Sequence, residues 1–250
     1  MKKILIVLIS GIIFYGCSAS VDTSNMTAEQ RLQYAISLFN DETYDVAIPE
    51  LESILLQFPG SEVVDDAQFY LAKTRLNRKE YIMAAFEFSR LIKSMPASEF
   101  VIESQYLLAD SYYRLSPDYT LDQRYTKKSI EEFQAFIDFF PTDPRVTGAE
   151  QKISEMNTKL AQKEFTSAVI YEKLEYYTAA IKYYSNVVEV FHDTEFAPKA
   201  SYNKIKLLVQ RERKKEALLE VNSFLTKYPQ DKAYSDVLKI KDDLSQISIM

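Results

Sequence analysis

Apolar residues recur along this chain at helical spacing, in stretches that each close on a large side chain followed by a turn. The five closures are Phe58-Pro59, Met95-Pro96, Phe140-Pro141, Phe191-His192 and Tyr228-Pro229. Twelve residues before the second member of each pair stand Ala47, Ala84, Ser129, Ala180 and Ala217, all small. Eleven before stand Ile48, Ala85, Ile130, Ile181 and Leu218, and four before stand Leu55, Ile92, Ile137, Val188 and Leu225. Coincidence of these columns at five sites marks an internal repeat. Each column set predicts a helix that stops near a proline, because proline lacks an N–H and biases the residue before it away from helical angles. Eight residues after the first four closures come Ala67, Ser104, Ala149 and Ala200, which open the next helix. Small side chains at fixed places let two helices approach closely, and large ones at helical spacing fill the remaining volume.

The pattern resembles the tetratricopeptide repeat, which has small residues in both helices and a proline after the second. Ala35, Tyr44, Ala47, Leu51 and Pro59 carry the likeness in the first unit, and Ala72, Tyr81, Ala84, Phe88 and Pro96 in the second. The resemblance implies an all-α, right-handed solenoid of about five tetratricopeptide-like helix pairs with a C-terminal capping helix. The closures lie 37, 45, 51 and 37 residues apart, longer than the repeat's usual ~34. A turn-forming loop around Ser116-Pro117-Asp118-Tyr119 lengthens the third unit. The fourth gains a long first helix, roughly 145–173, for which Asp143-Pro144 predicts an N-cap and first-turn proline. Residues 233–248 read as the amphipathic cap that shields the last apolar face. Residues 27–141 then hold repeats 1–3, and 142–250 hold repeats 4–5 and the cap.

The N-terminus has a different pattern. Lys2-Lys3 precede an almost wholly apolar run from Ile4 to Phe14, and Gly16 precedes Cys17, the chain's one cysteine. This is the layout of a secretory signal peptide, and the run is about half the ~20 residues that span a bilayer. It resembles a bacterial lipoprotein signal, with 1–16 removed and Cys17 lipidated. Phe14 and Tyr15 depart from the Leu and small residue usual there, so an ordinary cleaved signal or a weak N-terminal anchor stays open. Ser18 rather than Asp after the cysteine implies, by the same resemblance, sorting to the outer membrane. Residues 17–26 are polar and aperiodic, a flexible lipid-anchored linker.

Composition narrows the function. Low glycine (four residues), no tryptophan and abundant Ala, Leu, Glu and Lys favour helix throughout. Loss of Lys2 and Lys3 with the signal would move the net charge from −6 to −8. An acidic body disfavours nucleic acid and anionic membrane surfaces as general partners, leaving the lipid anchor as the membrane contact. With one cysteine there is no disulfide framework or cysteine-rich metal site. The single histidine, His192, stands at a closure and reads as a solvated turn residue. No glycine-rich phosphate loop, GxSxG or metal-ligand motif is present. No catalytic residue, metal or cofactor is expected, and an enzyme is disfavoured. Arg211, Arg213, Lys214 and Lys215 form a basic run at a helix–helix turn, either a solvated turn or a docking point for an acidic partner.

By resemblance to peptide-binding tetratricopeptide proteins, the first helices line a concave groove. The positions implied are Leu32 and Phe39 (with Ile36 and Asn40), then Phe69, Lys73 and Asn77 (with Leu76), then Tyr106, Asp110, Tyr113 and Arg114. Rings, amides and both charge signs suit an extended peptide with aromatic side chains; equally, these residues could simply pack between helices. With signal and unit lengths together, the chain resembles the BamD-type outer-membrane assembly lipoproteins from residue 17 to about 230. Leu121-Asp122-Gln123-Arg124-Tyr125-Thr126 before Ser129 and Phe133, and Lys163-Glu164-Phe165 through Ala168 and Tyr171, carry the more specific likeness. That resemblance implies a periplasmic scaffold binding a BamA-type barrel-insertion protein and unfolded outer-membrane protein peptides. Lys173-Leu174-Glu175-Tyr176 departs from it, where family members often have a glycine-containing turn. A different expectation is a tetratricopeptide lipoprotein adaptor that recruits a cell-envelope hydrolase or division complex.

Overall fold

The computed structural model describes residues 21–246, which form eleven helices and no strand among the described residues. Unit 1 is α1 (Ala28–Asn40) and α2 (Tyr44–Gln57); unit 2 is α3 (Val64–Asn77) and α4 (Tyr81–Ser94); unit 3 is α5 (Val101–Leu115) and α6 (Arg124–Phe139). Unit 4 is α7 (Val146–Lys173) and α8 (Tyr177–Val190), unit 5 is α9 (Phe196–Gln210) and α10 (Lys214–Lys227), and α11 (Tyr234–Gln246) follows. Each helix packs on the next in the chain, and the first helices also meet across units, α1 on α3 and α7 on α9. Such nearest-neighbour packing is that of a helix-pair solenoid. It is the expected architecture.

The small-residue columns explain the packing. Ala47, Ala84, Ser129, Ala180 and Ala217 on the second helices are fully buried, as are Ala67, Ser104, Ala149 and Ala200 on the first. Backbones close in at these points, and Leu51, Phe88, Phe133, Tyr184 and Val221 fill the space beside them. Each helix pair shares its core with the opening of the next unit: Ala67 and Leu71 join the unit 1 cluster, and Leu108 joins that of unit 2. The final helix α11 covers the end, burying Val237 and Leu244.

Turns inside units 1, 2, 4 and 5 share one geometry. Glu42, Lys79, Glu175 and Glu212 have φ of 57°, 63°, 63° and 56°. The following amide reaches back five residues each time, as from Thr43 to the Leu38 carbonyl and from Tyr176 to that of Tyr171. This left-handed closure satisfies carbonyls at the helix end, and glycine is its usual occupant. The Glu175 turn therefore keeps the shape a glycine would give, at a conformational cost. Unit 3 differs, with Ser116 extended and an irregular connection to α6. The predicted cap of α7 needs correction. The helix begins at Val146 behind Arg145, and the Asp143 carboxylate accepts the Arg145 amide (2.9 Å) and clamps its guanidinium. Two residues too early to cap, Asp143 instead shapes the turn.

Candidate functional site

The predicted groove positions lie on α1, α3 and α5, and they divide by burial. Leu32 and Phe69 belong to the core; Phe69 is 3% exposed and stacks on Phe100 at 4.3 Å. Neither presents a free side chain to a ligand. Phe39 is half-buried, edge-on to Tyr70 at 5.5 Å. Exposed Asn77 donates to the Tyr44 hydroxyl (3.2 Å), and Lys73 lies over the Phe69 ring (5.0 Å) while pairing with Glu103 (3.4 Å). Units 1 and 2 thus offer amides and one cation around a shallow aromatic floor.

Unit 3 brings its four predicted positions together. Asp110 is buried and accepts from Arg114 Nε (2.7 Å) and from Lys152 on α7. Burial pushes the Asp110 carboxyl up, but the hydrogen bonds and charges of Lys152 and Arg114 outweigh it and hold the group below its ordinary range. Lys152 also sits over the Tyr106, Tyr113 and Phe133 rings at 4.9–5.2 Å. Tyr113 donates to Glu155 (2.7 Å), which pushes its phenol up to about 12. The Arg114 guanidinium faces the Tyr81 ring at 5.8 Å. The third-unit part of the groove is therefore a closed network of internally paired charge.

Half of that network came from residues not expected from the sequence. Lys152, Glu155, Lys159 and Lys163 follow one another at steps of 3, 4 and 4 on α7, which places them on one helical face. All four reach into unit 3. Lys159 donates to Ser116 (2.8 Å), and Lys163 donates to the carbonyls of Tyr119, Thr120 and Leu121 (3.2, 3.2 and 2.7 Å). Buried Gln123 secures the same loop through the Asp118 and Leu121 carbonyls and accepts from Thr126 (2.6 Å). The charge periodicity of α7 was visible, but its direction toward the loop was not.

The basic run separates in space. The Arg211 guanidinium lies 4.7 Å from the Tyr177 ring centre, and Arg213 makes two bonds to Glu216 (2.7 and 2.6 Å). Both line a cleft of about 810 Å³ with Tyr171, Tyr176, Tyr177, Ile181 and Lys182. Lys214 and Lys215 open α10 outside that lining. His192 is exposed at the end of α8. Among the described residues, no group of three or more His, Cys, Asp or Glu is placed to hold a metal ion, and no helix is long and apolar enough to cross a membrane. Cys17 and the signal segment 1–16 lie outside the described residues.

A family model described as YfiO, outer membrane lipoprotein, matches residues 24–215. The chain belongs to this family of outer membrane lipoproteins. A curated relative, the outer membrane protein assembly factor BamD of Rickettsia prowazekii (strain Madrid E), is 27% identical over 236 residues, covering 94% of each chain. Among solved structures, a TPR repeats protein of Bacteroides fragilis is similar at 12% identity and a TM-score of 0.46, over 88% of this chain and 99% of that one. The TPR2AB domain of yeast Sti1, solved in complex with pHSP90, is similar at 15% identity and 0.42, over 89% and 84%. The family match covers all of units 1–4 and the first helix of unit 5.

Proposed function

We propose that this chain is a lipid-anchored scaffold of outer-membrane β-barrel assembly, tethered through Cys17 on the periplasmic face. The observation that carries this is its near end-to-end match to a relative named as an assembly factor, within a family of outer membrane lipoproteins. In this proposal the division of labour follows the domains expected from the sequence. Repeats 1–3 offer the inner face to unfolded outer-membrane protein segments, and repeats 4–5 hold a barrel-insertion protein. The Arg211–Tyr177 cleft is the docking point we assign to it. An exposed arginine stacked on Tyr177, beside exposed Tyr176, suits a partner loop that carries an acidic or aromatic anchor. No bond need be made or broken. The scaffold holds an extended segment near the barrel so that its edge pairs there instead of aggregating.

Affinity capture of the lipidated protein from membranes is expected to recover a large β-barrel protein with periplasmic domains. Depletion is expected to lower many outer-membrane barrels together. Recovery of a cell-envelope hydrolase or division proteins, with barrel levels unchanged, would replace assembly by the adaptor role. The groove is tested at its exposed positions. Asn40→Ala with Asn77→Ala, both exposed, should weaken binding of an aromatic-rich extended peptide while leaving thermal melting nearly unchanged. Phe69 is unsuitable for this test, since truncating a buried ring costs roughly 3–5 kcal/mol.

A further inference from the structure

The outer face of units 1 and 2 carries apolar side chains that the core does not use. Val46 and Leu56 on α2 and Ile82, Met83 and Phe86 on α4 are all exposed, Leu56 by 81% and Phe86 by 61%, and Pro49 is exposed beside them. The two helices flank one shallow groove, with Leu55 and Leu56 on one side and Glu87 and Arg90 on the other. Single exposed apolar residues need no explanation, whereas a shared face of six does.

The same repeat positions are mostly charged elsewhere. Where units 1 and 2 have Val46 and Met83, units 3 and 5 have Lys128 and Glu216. Where they have Pro49 and Phe86, units 3 and 4 have Glu131 and Lys182. Leu56 corresponds to Asp138 and Glu189 in units 3 and 4. Unit 5 keeps a single exposed apolar residue of this set, Leu219, so the shared face of several such residues lies at the end of the solenoid that joins the N-terminal segment. Acidic groups around it are neutralised from within: Asp45 pairs with Arg78, Glu52 with Arg75 (2.8 Å) and Glu50 with Arg31 (3.5 Å).

The N-terminal segment is fastened to this same helix. The Thr23 hydroxyl donates to Glu50 Oε1 (3.4 Å), and its carbonyl accepts from Arg31 Nη2 (2.6 Å). Glu50 adjoins Pro49. Only six peptide steps separate Thr23 from Cys17, a reach of at most about 20 Å. We infer that the outer face of α2 and α4 rests on the phospholipid surface, so that the protein meets the bilayer by a protein face as well as by its lipid. This rests on lipidation at Cys17, which fixes the membrane within that reach. Apolar side chains at the headgroup boundary, with neutralised acids around them, are what an interfacial contact requires.

The chain has no tryptophan, so one introduced ring reports its own surroundings. Full-length lipidated protein carrying Phe86→Trp is reconstituted into phosphatidylethanolamine–phosphatidylglycerol vesicles containing brominated acyl chains. Leu219→Trp, at the same repeat position in unit 5 and 72% exposed, is the comparison. A blue shift and loss of most of the emission at position 86, with little change at 219, is the expected result. If the protein floats with the vesicles but neither ring is quenched, the anchor stands and the docking face is overturned. If it does not float, the lipid anchor itself fails and the inference goes with it.

Discussion

Units 1, 2, 3 and 5 hold their paired helices together with a carboxylate on the second helix, whereas unit 4 carries the carboxylate on the first. Nine residues before each closure stand Glu50, Glu87, Glu132, Tyr183 and Glu220. Arg31 pairs with Glu50, while Gln68 and Gln105 donate to Glu87 (2.8 Å) and Glu132 (2.9 Å). Ser201 (2.6 Å) and Lys204 (2.7 Å) share Glu220. In unit 4 the acid is Glu164 on α7, bonded by Asn186 of α8 (3.1 Å), and Tyr183 instead stacks on Tyr171 at 5.1 Å. A hydrogen bond with Tyr171 pushes the Tyr183 phenol up. Clefts of about 810, 770 and 440 Å³ all border α8 of this unit. A buried clamp consumes its polar groups in joining two helices. Where the clamp is reversed, tyrosines and charges border open clefts.

The largest effect should come from breaking a standard clamp. Gln68→Ala leaves the buried Glu87 carboxylate with only the more distant Arg90 guanidinium (3.8 Å) and is expected to cost about 2–3 kcal/mol in urea unfolding. Forcing unit 4 toward the standard form gives a cycle. Tyr183→Glu sets two carboxylates against each other and should cost about 1–2 kcal/mol, while adding Glu164→Gln recreates the Gln–Glu pair of units 2 and 3 and recovers most of the loss. Additive effects in that cycle would show that the two positions do not face each other.

The unit 3 network gives a smaller, pH-dependent effect. The Asp110 carboxyl is held below its ordinary value in the folded protein. Its stabilisation is therefore present above the unfolded value near 4 and lost as pH falls through the folded one. Asp110→Asn should cost about 1 kcal/mol at pH 7 and nothing at the acid end, so the two unfolding curves converge on acidification. The smallest effect belongs to the turns. Glu175→Gly relieves a left-handed residue and should stabilise by about 0.5–1 kcal/mol, while removing one acidic side chain from the lining of the neighbouring cleft.

Helix boundaries and pair count were legible because close backbone approach admits only small residues, and those recur at fixed distances from each closure. The acidic column was equally regular, but its partners lie 16 to 27 residues away and vary among Arg, Gln, Ser and Lys. A column of carboxylates on helices reads as solvated charge until the facing helix is seen. The groove shows the same limit. Phe69 and Lys73 share a helical face four residues apart, yet one ring is core and the other side chain lies across it.

The amino-acid sequence alone determined the helical units, their lengths, the extra loop of unit 3 and the resemblance that the family match later carried. These follow from steric and hydrophobic periodicity, which is local. Which residues of the inner face stay open, how α7 closes over unit 3 and where the N-terminal segment is fastened were decided only by the tertiary structure. Those depend on side chains meeting across helices far apart in sequence, where burial and pairing are settled by packing rather than by spacing.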